Sequence, residues 1–277
     1  MEYILYNGKF VPVDTPVLMP DNRSFRYGEG LFETMRKTTG GIALWERHLT
    51  RLHNGMEILD ISFPPHVQAD TFLKEIDKLV QKNRIDSDVR IRLTCFKGDG
   101  ALWEEADSLH YLVQCWNLPR AEFNLNGLDI GVFTGGAKSC DALSNLKSNN
   151  YLLYSLAAQY GKKQRWNDCL VLNQHGRLAD STIANIFFIK DGVIYTPALS
   201  EASVAGVMRG YLIDQLPAIG FRVQEGAYSA ADLANADEVF LSNAIHGIRW
   251  VKRMDQALYG NHITAEIYHQ VVRPLFQ

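Results

Sequence analysis

The sequence predicts an α+β protein in two parts, and three observations carry that expectation. The chain starts with a hairpin signal: apolar residues 3–6, the turn pair Asn7-Gly8, then residues 9–13. Two stretches have helical spacing, 45–59 with Leu49, Leu52, Met56 and Leu59, and 67–83 with Phe72, Ile76, Leu79 and Val80. Beyond residue 126 the pattern turns β-rich, so strands and helices are segregated rather than alternating.

In order along the chain, residues 31–36 read as a strand broken by Gly40-Gly41, ahead of the first helix. The alternating run 89–96 and the apolar run 110–116 form a strand pair after the second helix. The stretch Asn117-Leu118-Pro119-Arg120-Ala121-Glu122 is the linker candidate, which divides the chain into 1–116, a linker at 117–125, and 126–277. The second part holds strands at 128–134, 169–173 and 239–242, and a hairpin at 187–195 through Lys190-Asp191-Gly192. Helices are expected at 150–160 and 207–216, with a closing one at 265–272. There is no internal repeat and no low-complexity tract.

The chain has 277 residues, 47% hydrophobic and 21% charged, values of a soluble globular protein with ample core. Its formal net charge of −3 asks for neither nucleic acid nor an anionic membrane as partner. The longest basic cluster, Lys162-Lys163-Gln164-Arg165, reads as the solvated end of a helix. Four cysteines (Cys95, Cys115, Cys140, Cys169) stand apart without metal-ligand spacing, so reduced thiols and no metal are expected. No signal-peptide pattern precedes residue 3 and no apolar run reaches membrane-spanning length, so the expected compartment is the cytoplasm.

Lys147 lies in Asn145-Leu146-Lys147-Ser148-Asn149-Asn150-Tyr151, with apolar or small neighbours, just before a helix of Tyr, Leu and Ala residues. Lys138, nearby, lacks such a setting. Asp180 heads Ser181 to Phe188, which read as one continuous strand with no turn for the acid to serve. A lysine and a carboxylate in apolar surroundings suit pyridoxal phosphate (PLP). The amine must lose its proton to form a Schiff base, and the acid must keep the pyridine nitrogen protonated. Taken alone, a lysine is a solvated side chain and an aspartate of this kind a turn cap. Ser203-Val204-Ala205-Gly206-Val207-Met208-Arg209 enters a helix, a common pattern whose backbone amides can cradle a phosphate. Arg51 offers a counter-charge by bidentate contact, against the plain reading of a surface arginine.

These motifs, together with Arg26-Tyr27-Gly28-Glu29-Gly30-Leu31-Phe32-Glu33, Glu46-Arg47-His48-Leu49-Thr50-Arg51-Leu52 and Ala184-Asn185-Ile186-Phe187, resemble the class IV aminotransferase family over nearly the whole chain. That family groups branched-chain and D-amino-acid aminotransferases with 4-amino-4-deoxychorismate lyase. The resemblance implies a two-domain fold type IV PLP enzyme like D-amino-acid aminotransferase. Its N-terminal domain would be an α/β sandwich and its C-terminal domain β-barrel-like with helices, with PLP in the cleft between them and a homodimeric assembly. It further implies that Lys147 is the Schiff-base lysine and Arg51 the phosphate arginine. Val207 and Met208 would supply phosphate-binding amides, with the small Gly206 letting the phosphate approach, and Tyr151 would stand near the phenolic oxygen of PLP. Asp180 takes the place of the family's usual glutamate at the pyridine nitrogen, one methylene shorter.

Ser242-Asn243-Ala244-Ile245-His246-Gly247-Ile248 resembles the lyase, with Asn243 and Ala244 at cofactor-binding positions and no hydroxyl for the phosphate. Tyr151 and Arg92 instead match branched-chain aminotransferases. Arg90 and Arg92 share a strand face, either simply solvated or forming a carboxylate-binding wall, with Lys97 and His246 as further substrate candidates. The resemblance therefore favours 4-amino-4-deoxychorismate lyase, which releases pyruvate and 4-aminobenzoate in folate biosynthesis. The alternatives are an amino-acid transaminase using 2-oxoglutarate and a PLP-binding homologue without turnover.

Overall fold

The computed structural model describes residues 1–61, 69–104 and 109–277. The chain divides into two compact units, Met1–Arg120 with Lys147–Asn150, and Ala121–Leu146 with Tyr151–Gln277. The short run Lys147–Asn150, expected in the C-terminal part, thus belongs to the first unit.

The first unit opens on the hairpin β1 (Tyr3–Tyr6) and β2 (Lys9–Pro12). Asn7 and Gly8 both take positive φ, 47° and 77°, which the two-residue turn requires. Helix α1 (Arg23–Tyr27) is capped by Asn22, whose side-chain oxygen accepts from the amides of Ser24 and Phe25. Strands β3 (Gly30–Thr38) and β4 (Gly41–Ile42) lead to α2 (Trp45–Ile58). Then come α3 (Ala69–Lys82), β5 (Asp88–Lys97) and β6 (Leu109–Leu118). The helix start expected at residue 67 lies outside the described residues.

Among the described residues the sheet has six strands in the order β2-β1-β6-β5-β3-β4, with every pairing antiparallel. One face carries Leu31, Met35, Ile91, Leu93, Cys95, Val113 and Cys115, all buried. Leu49, Leu52 and Met56 of α2 and Phe72, Ile76 and Leu79 of α3 are buried with them, as helical spacing predicts. At about 25 cal/mol per Å² of apolar surface, each such fully buried side chain contributes about 1.5–3 kcal/mol. The opposite face carries Phe32, Arg90, Arg92 and Thr94 at alternate positions.

In the second unit β7 (Leu128–Val132) precedes α4 (Leu152–Gln164), β8 (Asp168–Leu172) and β9 (Leu178–Ser181). The hairpin β10 (Asn185–Lys190) and β11 (Val193–Pro197) follows, then α5 (Val207–Gln215) and β12 (Arg222–Gly226). The chain ends with α6 (Ala230–Ala234), β13 (Glu238–Asn243), β14 (Gly247–Met254), β15 (Ala257–Leu258) and α7 (His262–Ile267). The closing helix expected at 265–272 starts earlier and changes to π-type turns at Tyr268–Val272.

Among the described residues the second sheet has nine strands and runs β12-β11-β10-β13-β14-β7-β8-β9, with β15 beside β14. It is mixed, since β11/β12, β14/β7 and β7/β8 pair in parallel. Strand β10 is buried on both faces, which explains its unbroken apolar run Ile186-Phe187-Phe188-Ile189. Phe187 stacks on Phe240, its register partner, at 4.9 Å between ring centroids.

One expectation is corrected here. Asp180 does not head a continuous strand: β9 ends at Ser181, and Thr182-Ile183-Ala184 turn the chain before β10. The Ser181 amide donates to the Ala184 carbonyl at 2.8 Å. The Asp168 carboxylate accepts from the Thr182 amide and hydroxyl at 3.1 and 2.6 Å. This turn is organised by a buried carboxylate 14 positions away, so it needs no Gly, Pro or Asn to mark it.

Candidate active site

In the first unit the Lys147 segment is ordered by the edge of β3. Leu31 and Ser148 form an antiparallel bridge. The Phe32 amide donates to the Lys147 carbonyl at 2.9 Å, and the Asn149 amide to the Gly30 carbonyl at 2.8 Å. Gly30 is required at this approach, because a Cβ there would stand 2.4 Å from the Asn149 side-chain nitrogen. The Lys147 ammonium lies 4.5 Å from the centroid of the buried Phe32 ring, and the Arg92 guanidinium 3.7 Å from the same centroid. Arg90 sits on the same strand face but lies over Trp116 at 5.4 Å. Arg92 and Lys147 therefore share one ring, and Arg90 is held over another. Lys97, at the end of β5, is half-buried.

Arg51 makes the bidentate contact expected of it, but to a protein carboxylate. Its Nε and Nη2 donate to Glu33 Oε1 and Oε2 at 2.8 and 2.5 Å. His48 Nδ1 stands 2.5 Å from the same Oε2. Burial alone would raise the Glu33 pKa; the charges and hydrogen bonds of Arg51 and His48 overcome it and bring the group down to about 2. Burial outweighs Glu33 at His48 and holds the imidazole pKa below its usual value. Facing an acceptor-only carboxylate, the neutral ring carries its proton on Nδ1. His48 Nε2 is then a buried acceptor, and it has no hydrogen-bond partner among the described residues. Glu33 and His48 had no assigned role in the sequence reading; a charged residue at an apolar position of β3 was the available signal.

In the second unit Asp180 is 2% exposed and receives four donors. Its Oδ2 accepts from Lys138 Nζ at 3.1 Å, the Tyr154 hydroxyl at 2.7 Å and the Val204 amide at 3.0 Å. Its Oδ1 accepts from Asn185 Nδ2 at 2.9 Å. Lys138 also donates to the Tyr154 oxygen at 2.6 Å and the Ser144 carbonyl at 3.0 Å. The expectation that Lys138 lacks a special setting is therefore overturned: its partners arrive from α4 and β9, far from it in sequence. Burial first, and then the Asp180 charge, push the Tyr154 phenol well above its usual range. Tyr151 stacks on Tyr154 at 4.5 Å and donates to the Thr182 carbonyl at 3.0 Å.

Gly206 precedes α5, where the Asn185 side chain comes close. A Cβ at 206 would stand 1.8 Å from Asn185 Oδ1, so any larger residue must displace that side chain. Val207 and Met208 open the helix and are buried, and their amides belong to the first turn, which has no intrahelical acceptor. Asn243 is engaged in the β13–β14 turn around Ala244: its Oδ1 accepts from the Ile245 and His246 amides at 3.0 and 2.8 Å. His246 is half-buried on this turn. The neighbouring Ser242 hydroxyl is buried and without a partner among the described residues.

In the first unit the site residues gather around Glu33 and at Phe32, and in the second around Asp180. The described residues hold no group of His, Cys, Asp and Glu suited to a metal ion. They hold no helix long and apolar enough to cross a membrane. Cys95, Cys115, Cys140 and Cys169 are free thiols.

Residues 30–254 match the family model described as amino-transferase class IV. The aminodeoxychorismate lyase of Bacillus subtilis (strain 168) is 28% identical over 272 residues, covering 93% of this chain and 88% of that protein. Among solved structures, a putative 4-amino-4-deoxychorismate lyase from Legionella pneumophila aligns with a TM-score of 0.84 and 26% identity, over 93% of this chain and 95% of that one. The branched-chain amino acid aminotransferase of T.th., solved with pyridoxamine 5'-phosphate, aligns with a TM-score of 0.88 and 22% identity, over 99% of this chain and 94% of that one.

Proposed function

The chain belongs to the class IV aminotransferase family of PLP-dependent enzymes, and from that premise we propose that it is a 4-amino-4-deoxychorismate lyase. The observation that carries this choice is the 28% identity to a lyase across 93% of the chain. The Asn243-Ala244 turn, which offers no hydroxyl at 244, supports it.

The residues fit PLP. The Oδ1 of Asp180 has one donor and room for a second, as a ring-nitrogen partner needs. The glycine at 206 keeps the start of α5 free of a Cβ, as a phosphate at its amides needs. When bound, PLP supplies an electron sink that acidifies the hydrogen on the amine-bearing carbon of the substrate. We assign Lys147 Nζ as the Schiff-base amine and as the base that takes this proton. Asp180 holds the proton on the ring nitrogen, and Tyr151 is assigned to the phenolic oxygen. Arg51 brings positive charge to the phosphate side, with Gly206, Val207, Met208, Asn243 and Ala244 completing the cofactor set. Arg90, Arg92, Lys97 and His246 are the candidates for the substrate carboxylates. In the reaction the carbon–oxygen bond to the enolpyruvyl group breaks, the ring becomes aromatic, and the removed proton converts the enolpyruvyl fragment to pyruvate.

The test gives purified holoprotein aminodeoxychorismate in one assay and leucine with 2-oxoglutarate in another. Release of 4-aminobenzoate is expected. Glutamate without 4-aminobenzoate overturns the lyase in favour of the transaminase, which the match of Tyr151 and Arg92 to branched-chain enzymes favours. Neither product indicates a PLP-binding homologue without turnover. Borohydride reduction followed by peptide mapping should place the label on Lys147; a label on Lys138 removes Lys147 from its role. Lys147→Ala should lower turnover by at least about a thousandfold, in the range expected for loss of a general base. It should leave the circular dichroism spectrum unchanged, since the segment is tied to β3 by its backbone. We further assign the protein to the cytoplasm as a homodimer; light scattering at assay concentration checks the dimer.

A further inference from the structure

We infer that Lys138 is a positioning residue for the cofactor: its ammonium holds Asp180 Oδ2 and so leaves Oδ1 as the oxygen that faces a ring-nitrogen proton. This rests on the reading of Asp180 as the acid that partners the pyridine nitrogen.

Asp180 is 2% exposed. A buried carboxylate needs donors and a counter-charge around it, because water no longer solvates it. Three of its four donors, the Tyr154 hydroxyl, the Asn185 amide and the Val204 amide, are neutral. Among the described residues Lys138 is the one cation within ion-pair distance, at 3.1 Å and itself 9% exposed on its side chain. The pair is neutral as a whole, and each partner justifies the charge of the other.

The donors are also unevenly placed. Lys138, Tyr154 and Val204 converge on Oδ2, which saturates that oxygen, whereas Oδ1 receives Asn185 alone. Lys138 is itself anchored: its amide donates to the Leu172 carbonyl at 2.9 Å, and its ammonium to the Ser144 carbonyl at 3.0 Å. An anchored ammonium on Oδ2 sets the rotation of the carboxylate and so the direction of Oδ1. This matters more for aspartate than for glutamate, because the shorter side chain has less reach to adjust.

The experiment compares the affinity of the protein for PLP with that for its 1-deaza analogue, which keeps phosphate and aldehyde but has no ring nitrogen. Wild type should prefer PLP, and Asp180→Asn should erase the preference. Lys138→Gln should lower it at least about fivefold, and Lys138→Arg should restore most of it. In the Lys138→Gln/Asp180→Asn double variant the glutamine should have no further effect. Circular dichroism accompanies each variant, and the double variant, which removes both buried charges, serves if Lys138→Gln alone does not fold. A wild-type preference in folded Lys138→Gln, or a further loss in the double variant, overturns the proposal. Wild type without any preference instead overturns the parent reading of Asp180, and wild type binding neither compound overturns the PLP reading as a whole.

Discussion

Glu33 in the first unit and Asp180 in the second are both 2% exposed, yet their surroundings treat them differently. Glu33 engages Arg51 through both oxygens and His48 through Oε2. Asp180 gathers three donors on one oxygen and one on the other. Burial is equal, so it does not distinguish the two acids. The placement of the donors does: one guanidinium grips both oxygens of Glu33, whereas three of the four donors to Asp180 crowd onto Oδ2.

The comparison can be broken most directly at Glu33. Glu33→Gln should destabilise the protein by about 2–4 kcal/mol, because it leaves the half-buried Arg51 guanidinium without its counter-charge. Urea unfolding measures this, and a loss below about 1 kcal/mol would make Glu33 dispensable. The pH dependence has a definite sign. The folded pKa of about 2 lies below the ordinary 4.5, so the Glu33 contribution is fully present above 4.5 and disappears as pH falls toward 2. Unfolding midpoints of wild type and Glu33→Gln should therefore converge across that window.

At Asp180 the expected loss is in rate. Asp180→Asn should keep PLP bound but slow turnover by about a hundredfold, since a neutral amide cannot hold the ring-nitrogen proton. An unchanged rate would make Asp180 as structural as Glu33. The smallest effect is expected at Gly206→Ala, where the added methyl must displace Asn185 at about 1–3 kcal/mol of stability. Its PLP affinity should fall as well, because Asn185 is also the donor to Asp180 Oδ1. If affinity holds while stability falls, the close approach at 206 serves packing alone.

What was legible in the sequence follows from the range of the interactions. The Asn7-Gly8 turn and the apolar stripe of α2 are local patterns and lie where their spacing put them. The order of Lys147, Asp180 and the Gly206 helix start was readable because each sits in a recognisable run. The break between β9 and β10 was not, since Asp168 closes that turn from a neighbouring strand. Strand β14 was missed because its residues Arg249, Lys252 and Arg253 blur the alternation. Lys138 was missed for the same physical reason as the turn. Gly-Ala-Lys-Ser carries no sign of a carboxylate that the fold brings from 42 positions away. Glu33 was quoted within a motif, but its partners on α2 emerge only when helix and sheet are packed together.

The tetrapeptide Lys147–Asn150 is stitched to the edge of β3 although the chain on either side of it belongs to the other unit. A single cut after Arg120 therefore cannot yield two intact halves. A fragment of 121–277 would carry Lys147 but leave behind the strand that orders it, and the complementary fragment would keep that strand with nothing to hold. Fragment complementation, gene splitting or module exchange in this protein must move the tetrapeptide with its anchor, or accept an amine whose backbone is no longer fixed.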